Sequence, residues 1–324
     1  MTTTINTLYL DKVIDQHSQS MAGKIVAITG TTSGTGYFCA REMAKLGAEV
    51  LLLNRVSERS STSLESLKKE VPGASFVPFE CDLQDFENVR KAIADITSTY
   101  TVIDVLCNNA GIMAMPDIPT KDGYDVQMQT NCLSHFLLTN GLFQQIKNSR
   151  DGRIVNHTSM ARLGPPLEEK YFGKNGGNLG GDGTEEENNN FRGPRWMRYH
   201  QTKLANCAFT YGLIERLKAK GIHTIKVLIA HPGLAATQLQ ITTVKSGGMK
   251  GGTEFMQIAQ SAEDGATGII RCCTDPNVQT GDFYGPKQWK GFPDKIIPEE
   301  NLNDHENIRV NWEGCEKAVG KFIF

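Results

Sequence analysis

Short apolar runs and helix-spaced segments alternate along this chain. KIVAITG (24–30), AEVLLLNR (48–55), ASFVPFECDL (74–83), RIVNHTSMA (153–161) and HTIKVLIAHPG (223–233) read as strands, and VIDVLCNNAG (102–111) is a strand running into a turn. GDFYGPKQ (281–288) reads as a last strand. Between them, residues 34–47, 64–73, 85–100, 124–146, 195–221 and 261–276 carry apolar positions at helical spacing. Asp85 is an N-cap candidate, and Pro72-Gly73 and Pro276 are stop signals. Strands that are apolar on both faces and separated by helices predict a parallel sheet covered on both sides. The expected fold is α/β, a single doubly wound parallel sheet that binds ligands at the carboxyl ends of its strands. No linker divides it, so one domain is expected over 24–324, after a polar extension at 1–23.

Residues 164–194 break the pattern. This Gly-, Asn- and Glu-rich stretch has almost no apolar periodicity. It reads as a flexible insertion, either a disordered surface excursion or a flap over a cleft.

Composition narrows the function classes. A 39% hydrophobic, 22% charged chain of 324 residues buries a sizeable core. A net charge of −2 without a basic stripe argues against nucleic acid as a partner. No long apolar run suggests a membrane span, and the N-terminus does not read as a secretion signal, so a cytoplasmic protein is expected. The eight cysteines lack CxxC spacing and the seven histidines lack HxxxH, so free thiols and no metal site are expected.

The first strand ends in TGTTSGTG. Gly30 permits a tight turn, Gly34 lets the backbone approach a pyrophosphate, and Gly36 lets the following helix pack closely. The helix N-terminus then offers N–H groups to phosphate, a dinucleotide site. At the end of the second strand, where an acidic residue would hold a ribose 2′-hydroxyl, the chain has Asn54-Arg55. A guanidinium there suits a 2′-phosphate, so NADP(H) is expected, with Arg55 and Ser33 as contacts. The alternative is that Arg55 is a solvated strand-end residue.

Of eight tyrosines, only Tyr199 has a lysine, Lys203, four residues later, on the same helix face. A phenol's ordinary pKa, about 10, is too high for efficient proton transfer at neutral pH, and a nearby ammonium lowers it. Ser159, at a strand end, is placed to hold a substrate carbonyl. His135 and His157 read as satisfied polar residues near this site, and His200 as facing away from it.

TGTTSGTG, CDL (81–83), NNAG (108–111), Asn131 in TNCLSHF, Ser159 in NHTSM, YHQTK and HPGLAAT (231–237) together resemble the short-chain dehydrogenase/reductase family, over about residues 24–240. The tail is similar to the retinol dehydrogenase-like and protochlorophyllide reductase-like branch. The resemblance implies a Rossmann fold in which Tyr199 is the general acid/base. It implies that Lys203 binds nicotinamide ribose hydroxyls and lowers the tyrosine pKa. Ser159 would hold the substrate oxygen and Asn131 a relay water. Thr32, Ser33 and Thr35 would join the glycines around the cofactor. Asp82 and Leu83 would lie by adenine, Asn108, Ala110 and Gly111 by the adenine ribose, and Pro232, Gly233, Leu234 and Thr237 by the carboxamide.

The expected activity is hydride transfer between NADP(H) and a ketone, aldehyde or alcohol. Two alternatives stand beside it: reduction of a C=C bond in a large ligand, and an NADPH-binding sensor without turnover. Residues 234–260 are the expected substrate loop, with Met249, Phe255, Met256 and Ile258 as apolar candidates and Gly247, Gly248, Gly251 and Gly252 lending mobility. Homodimer, homotetramer and monomer all remain open. The 40-residue Ser159-to-Tyr199 separation exceeds the family's usual spacing and reflects the insertion.

Overall fold

The computed structural model describes residues 5–251 and 258–324, so Gly252, Phe255 and Met256 lie outside the described residues. Among these residues, eight strands form one sheet in the order β3-β2-β1-β4-β5-β6-β7-β8. They are β1 Ile25–Thr29, β2 Glu49–Asn54, β3 Phe76–Glu80, β4 Val105–Asn108, β5 Gly152–His157, β6 Ile225–Ala230, β7 Phe283–Gly285 and β8 Asp294–Lys295. Neighbours pair in parallel up to β7, and β8 adds an antiparallel edge absent from the sequence expectation. The chain reverses direction across the sheet between β1 and β4, where a doubly wound fold opens its ligand crevice.

Alternation along the strands builds two cores. Val26, Ile28, Val50, Leu52 and Cys107 pack with Cys39 and Met43 of α2 (Gly34–Lys45) and Ile269 of α8 (Ala262–Thr274). Ala27, Leu51, Leu106 and Ile154 pack with Ile96 of α4 (Phe86–Thr99), Phe136 of α5 (residues 126–141) and Leu204 of α6 (Gly193–Ala219). Each fully buried aliphatic side chain contributes roughly 1.5–3 kcal/mol. α3 (Glu58–Glu70) begins in a capping box at Ser57. All eight cysteines are free and buried. Among the described residues no helix is long and apolar enough to cross a membrane.

The structure departs from the sequence expectation in four further places. The polar extension contains α1 (Leu10–His17), whose Leu10 and Val13 are buried. Asp264 of α8 accepts from the backbone N–H groups of Leu8, Tyr9 and Leu10 at 2.8, 2.7 and 3.2 Å, tying the extension down. The expected helix over 124–146 ends at Gly141, and a separate turn spans Phe143–Lys147. β5 stops at His157, so Ser159 lies in the turn beyond it.

Residues 164–194, expected to be flexible, are packed and pinned. Leu167, Tyr171 and Phe172 are buried in the core beside α9 (His305–Val319). The glycine-rich part is held by polar contacts instead. Asp117 accepts from the N–H groups of Leu179 and Gly181, both at 2.7 Å. Arg198 of α6, fully buried, donates to the Gly181 and Met115 carbonyls at 2.8 and 3.1 Å and faces Asp125 at 3.3 Å. Order here comes from a few buried apolar side chains and from polar contacts made by residues outside the segment, Asp117 and Arg198 among them, which leave no periodic trace in sequence.

α9 also lies along α6, where Trp312 packs with Phe136, Phe209 and the terminal Phe322 and Phe324.

Candidate active site

The first strand hands over to α2 through a turn that only small residues permit. Gly30 has φ +73°, and a Cβ there would lie 2.8 Å from the Ala110 Cβ. A Cβ on Gly36 would lie 2.3 Å from the Gly30 carbonyl and from Asn109 Nδ2, so α2 seats directly on the strand ends. Asn109 locks the turn. Its amide donates to the Thr29 and Gly30 carbonyls at 2.9 and 3.3 Å, and its Oδ1 accepts from the Thr35 hydroxyl at 2.9 Å. Ser33 precedes α2 without capping it through its side chain. The first-turn N–H groups of α2 are thus offered to an anion.

A cleft of about 650 Å³ opens over this turn. Gly30, Thr32, Ser33, Gly34 and Thr35 line one part of it. Arg55, Asp82, Leu83, Ala110 and Gly111 follow along the strand ends, and Pro232, Gly233, Leu234 and Thr237 close the far side. Ser159, Tyr199 and Lys203 line the same cleft. The post-β6 loop is clipped in place, with Leu234 N donating to the Trp289 carbonyl at 2.5 Å and Gln260 N to the Leu234 carbonyl at 2.9 Å. Thr237 also caps α7 (Gln238–Lys245), accepting from Leu239 N at 3.3 Å.

Asn108 does not join them. Its amide points into the interior, donating to Thr139 Oγ1 at 3.0 Å and Asn156 Oδ1 at 2.9 Å. β4 ends at Asn108, so the next residue is the one that turns toward the cleft, and Asn109 lines it instead. Gly36 acts through packing rather than as lining. Asn131 is fully buried, behind the lining: its Oδ1 accepts from Ile112 N at 2.9 Å and its Nδ2 donates to the Ile112 carbonyl and Thr202 Oγ1. It lies in a π-helical turn, Gln129–Leu133, and its own carbonyl meets His135 Nδ1 at 3.1 Å.

Tyr199 and Lys203 are 3% and 5% exposed. The Lys203 ammonium lies 5.7 Å from the Tyr199 ring centroid and donates to the His157 carbonyl at 3.1 Å. Burial dominates both groups. It pushes the Tyr199 phenol up to about 12, with a hydrogen bond from Ser159 working the other way, and pulls Lys203 down to about 8. In the nucleotide-free chain desolvation is the largest influence on the phenol, and the Lys203 ammonium donates to the His157 carbonyl. Ser159 accepts from Ala161 N at 3.2 Å. His200, expected to face away, borders the cleft, its Nδ1 2.6 Å from the Ala161 carbonyl.

Sequence reasoning missed Arg59, which lines the cleft and donates to Ser33 Oγ at 2.9 Å. Its signal was available: it follows Arg55 by four residues, in the first turn of α3. Arg55 and Arg59 are both exposed, and the neighbouring Asn54 is neutral, with its Oδ1 accepting from Thr31 N. The donor set at this end fits a phosphorylated ribose: two guanidiniums and a serine hydroxyl. At the opposite end Met113, Trp196, Tyr199 and Met249 form a small apolar cluster. Trp196 meets the Tyr199 ring edge-to-face at 5.9 Å and donates to the Gly248 carbonyl at 2.8 Å. Of the loop candidates, Met249 joins this wall, whereas Ile258 is 58% exposed.

The family model for short chain dehydrogenases matches residues 24–171. Human retinol dehydrogenase 13 is 31% identical over 305 residues, covering 93% of this chain and 86% of that protein. An uncharacterized oxidoreductase of Schizosaccharomyces pombe is 33% identical over 225 residues, 68% of this chain but only 62% of that protein's length. Among solved structures, a protein from Mycobacterium Paratuberculosis superposes with a TM-score of 0.73 at 27% identity, covering 98% of this chain and 100% of that one. The L-sorbose reductase of Gluconobacter frateurii, solved with NADPH and L-sorbose, shares the fold at a TM-score of 0.59 and 21% identity, over 79% of this chain and 92% of its own.

Proposed function

Given that the chain belongs to the short-chain dehydrogenase/reductase family of oxidoreductases, we propose that it is an NADP(H)-dependent carbonyl reductase or alcohol dehydrogenase. The observation that carries this reading is the convergence of Ser159, Tyr199 and Lys203 in one cleft with the glycine turn and Arg55.

The α2 N-terminus would hold the pyrophosphate, and Arg55, Arg59 and Ser33 the 2′-phosphate, where charge-assisted hydrogen bonds favour NADP(H) over NAD(H). When bound, the nicotinamide supplies or accepts the hydride. The chain's own residues handle the oxygen. Ser159 hydrogen-bonds the substrate carbonyl and orients it. Tyr199, protonated at neutral pH because burial keeps its pKa high, gives its phenolic proton to that oxygen as the carbon is reduced. Lys203, its ammonium 5.7 Å from the Tyr199 ring centroid, would favour the phenolate as it forms. Asn131 braces Ile112 and the adjoining backbone, keeping the floor beside Lys203 in place. Proton transfer from a positioned acid contributes roughly 10²–10⁴-fold.

Met113, Trp196 and Met249 beside Tyr199 favour an apolar substrate, and exposed Leu163 and Trp289 extend that wall to the mouth. A relative named for retinol agrees with an apolar alcohol or aldehyde. NADPH and NADH oxidation across a panel of ketones, aldehydes and enones tests the proposal. It predicts turnover with apolar carbonyls and NADPH; failure with every carbonyl would overturn it.

A further inference from the structure

His200, expected to face away from the site, lies against the turn that carries Ser159. It follows Tyr199 on α6, is half-buried and borders the cleft. Its Nδ1 is 2.6 Å from the Ala161 carbonyl. A carbonyl only accepts, so the proton sits on Nδ1 and the imidazole donates. Among the described residues the ring makes no other hydrogen bond. A Cβ on Gly164 would lie 3.0 Å from the His200 Cβ, so the chain leaving the turn also rests on this side chain.

Ala161 passes that contact on. Its N–H donates to Ser159 Oγ at 3.2 Å. The serine oxygen is thereby engaged as an acceptor. Its own proton is left to be donated, to Tyr199 in this structure or to a substrate oxygen. Arg162 holds the same turn at a different point, its guanidinium bridging the Ser159 carbonyl at 3.1 Å and the Glu299 carboxylate. That contact fixes the Ser159 backbone but not the direction of the Ala161 N–H. The direction is set at the carbonyl end of Ala161, by the bond from His200. Tyr199 and His200 are consecutive on one helix, so a single rigid element carries both the proton donor and the clamp on the serine.

We propose that His200 is a positioning residue for carbonyl reduction: through Ala161 it holds the Ser159 hydroxyl in a fixed place relative to the Tyr199 phenol. It touches no reacting atom itself. This rests on the carbonyl-reduction reading above and adds a residue to it.

Two substitutions test the clamp. His200→Leu removes the donor; His200→Asn puts an amide N–H close to where Nδ1 stands. The Leu variant should lose about five- to tenfold in single-turnover rate, the worth of one neutral hydrogen bond, with NADPH affinity within about twofold of the parent. The Asn variant should recover most of that loss. In a Ser159→Ala background, where no hydroxyl is left to position, His200→Leu should cost no more than about twofold further. The full loss in that background, no recovery with Asn, or a parallel fall in NADPH affinity would overturn the proposal. If the unaltered protein reduces no carbonyl, the activity reading fails on its own. In that case, or if the Leu variant does not fold, ¹⁵N-histidine NMR of the unaltered protein decides. The His200 signals, assigned by their disappearance in the Asn variant, should report a proton on Nδ1; a proton on Nε2 alone refutes the clamp.

Discussion

Replacing Lys203 with methionine should abolish catalysis and make the nucleotide-free protein more stable. The ammonium is 5% exposed, and burial lowers its pKa from 10.5 to about 8. At about 1.4 kcal/mol per pH unit, keeping that proton in the folded chain costs about 3 kcal/mol below pH 8. Methionine has a similar length and no charge. The His157 carbonyl that Lys203 serves keeps a second donor, Asn206 Nδ2 at 3.2 Å, so no acceptor is orphaned. With an unfolding entropy of about 2.1 cal/mol/K per residue over 324 residues, the gain raises Tm at pH 7 by about 5 °C. The sign of the pH dependence follows from the lowered value. Between pH 8 and 10.5 the unfolded chain holds a proton at Lys203 that the folded chain has released, so this group's contribution to stability rises with pH. The variant lacks that rise, and its advantage should shrink toward zero by pH 10.5. Taking the difference between the two proteins cancels the buried tyrosines and cysteines, which titrate in the same range. Paired thermal melts from pH 7 to 10.5 measure it. A variant no more stable than the parent at pH 7, or a pH-independent difference, would show that Lys203 is not held at a desolvation cost.

Three other outcomes are expected. Tyr199→Phe should retain NADPH affinity within about twofold and lose about 10²–10⁴-fold in kcat, read by fluorescence titration and single-turnover kinetics. Arg55→Asp should weaken NADPH at least about tenfold with little effect on NADH, since it exchanges a charge-assisted contact for repulsion at the 2′-phosphate alone; unchanged NADPH affinity would remove Arg55 from the site. Gly36→Ala brings a methyl to 2.3 Å from the Gly30 carbonyl, so α2 must shift. That should lower stability by about 1–3 kcal/mol, measured by urea unfolding, and loosen nucleotide binding.

What was readable in the sequence follows physical rules that act locally. Short continuous apolar runs announced seven of the strands, and 3.6-residue spacing most of the helices between them, though α7 was read as part of a loop. The glycine turn was visible because each glycine answers a steric demand that no other residue meets. Tyr199 and Lys203 were visible because four residues on a helix is a distance. Other features depend on partners far away in the chain. Asn108 was mistaken for Asn109 because a strand end one residue earlier or later swaps which side chain faces the cleft. The phenol's burial was misjudged because, besides Trp196 one turn earlier on α6, it is set by Met113 and Met249, both far from Tyr199 in the chain. β8, two residues long, carried too little signal to register.

Arg198 stands immediately before the tyrosine on α6, and its charge is neutralised only when Asp117, Asp125 and the 164–194 carbonyls surround it. The insertion is consequently not a detachable module. A shorter connection grafted from a sister protein would leave Asp117 and Asp125 beside Arg198 but remove the Gly181 carbonyl to which its guanidinium donates, one residue from the proton donor. Reshaping this mouth therefore calls for changes to the segment and to Arg198 made together.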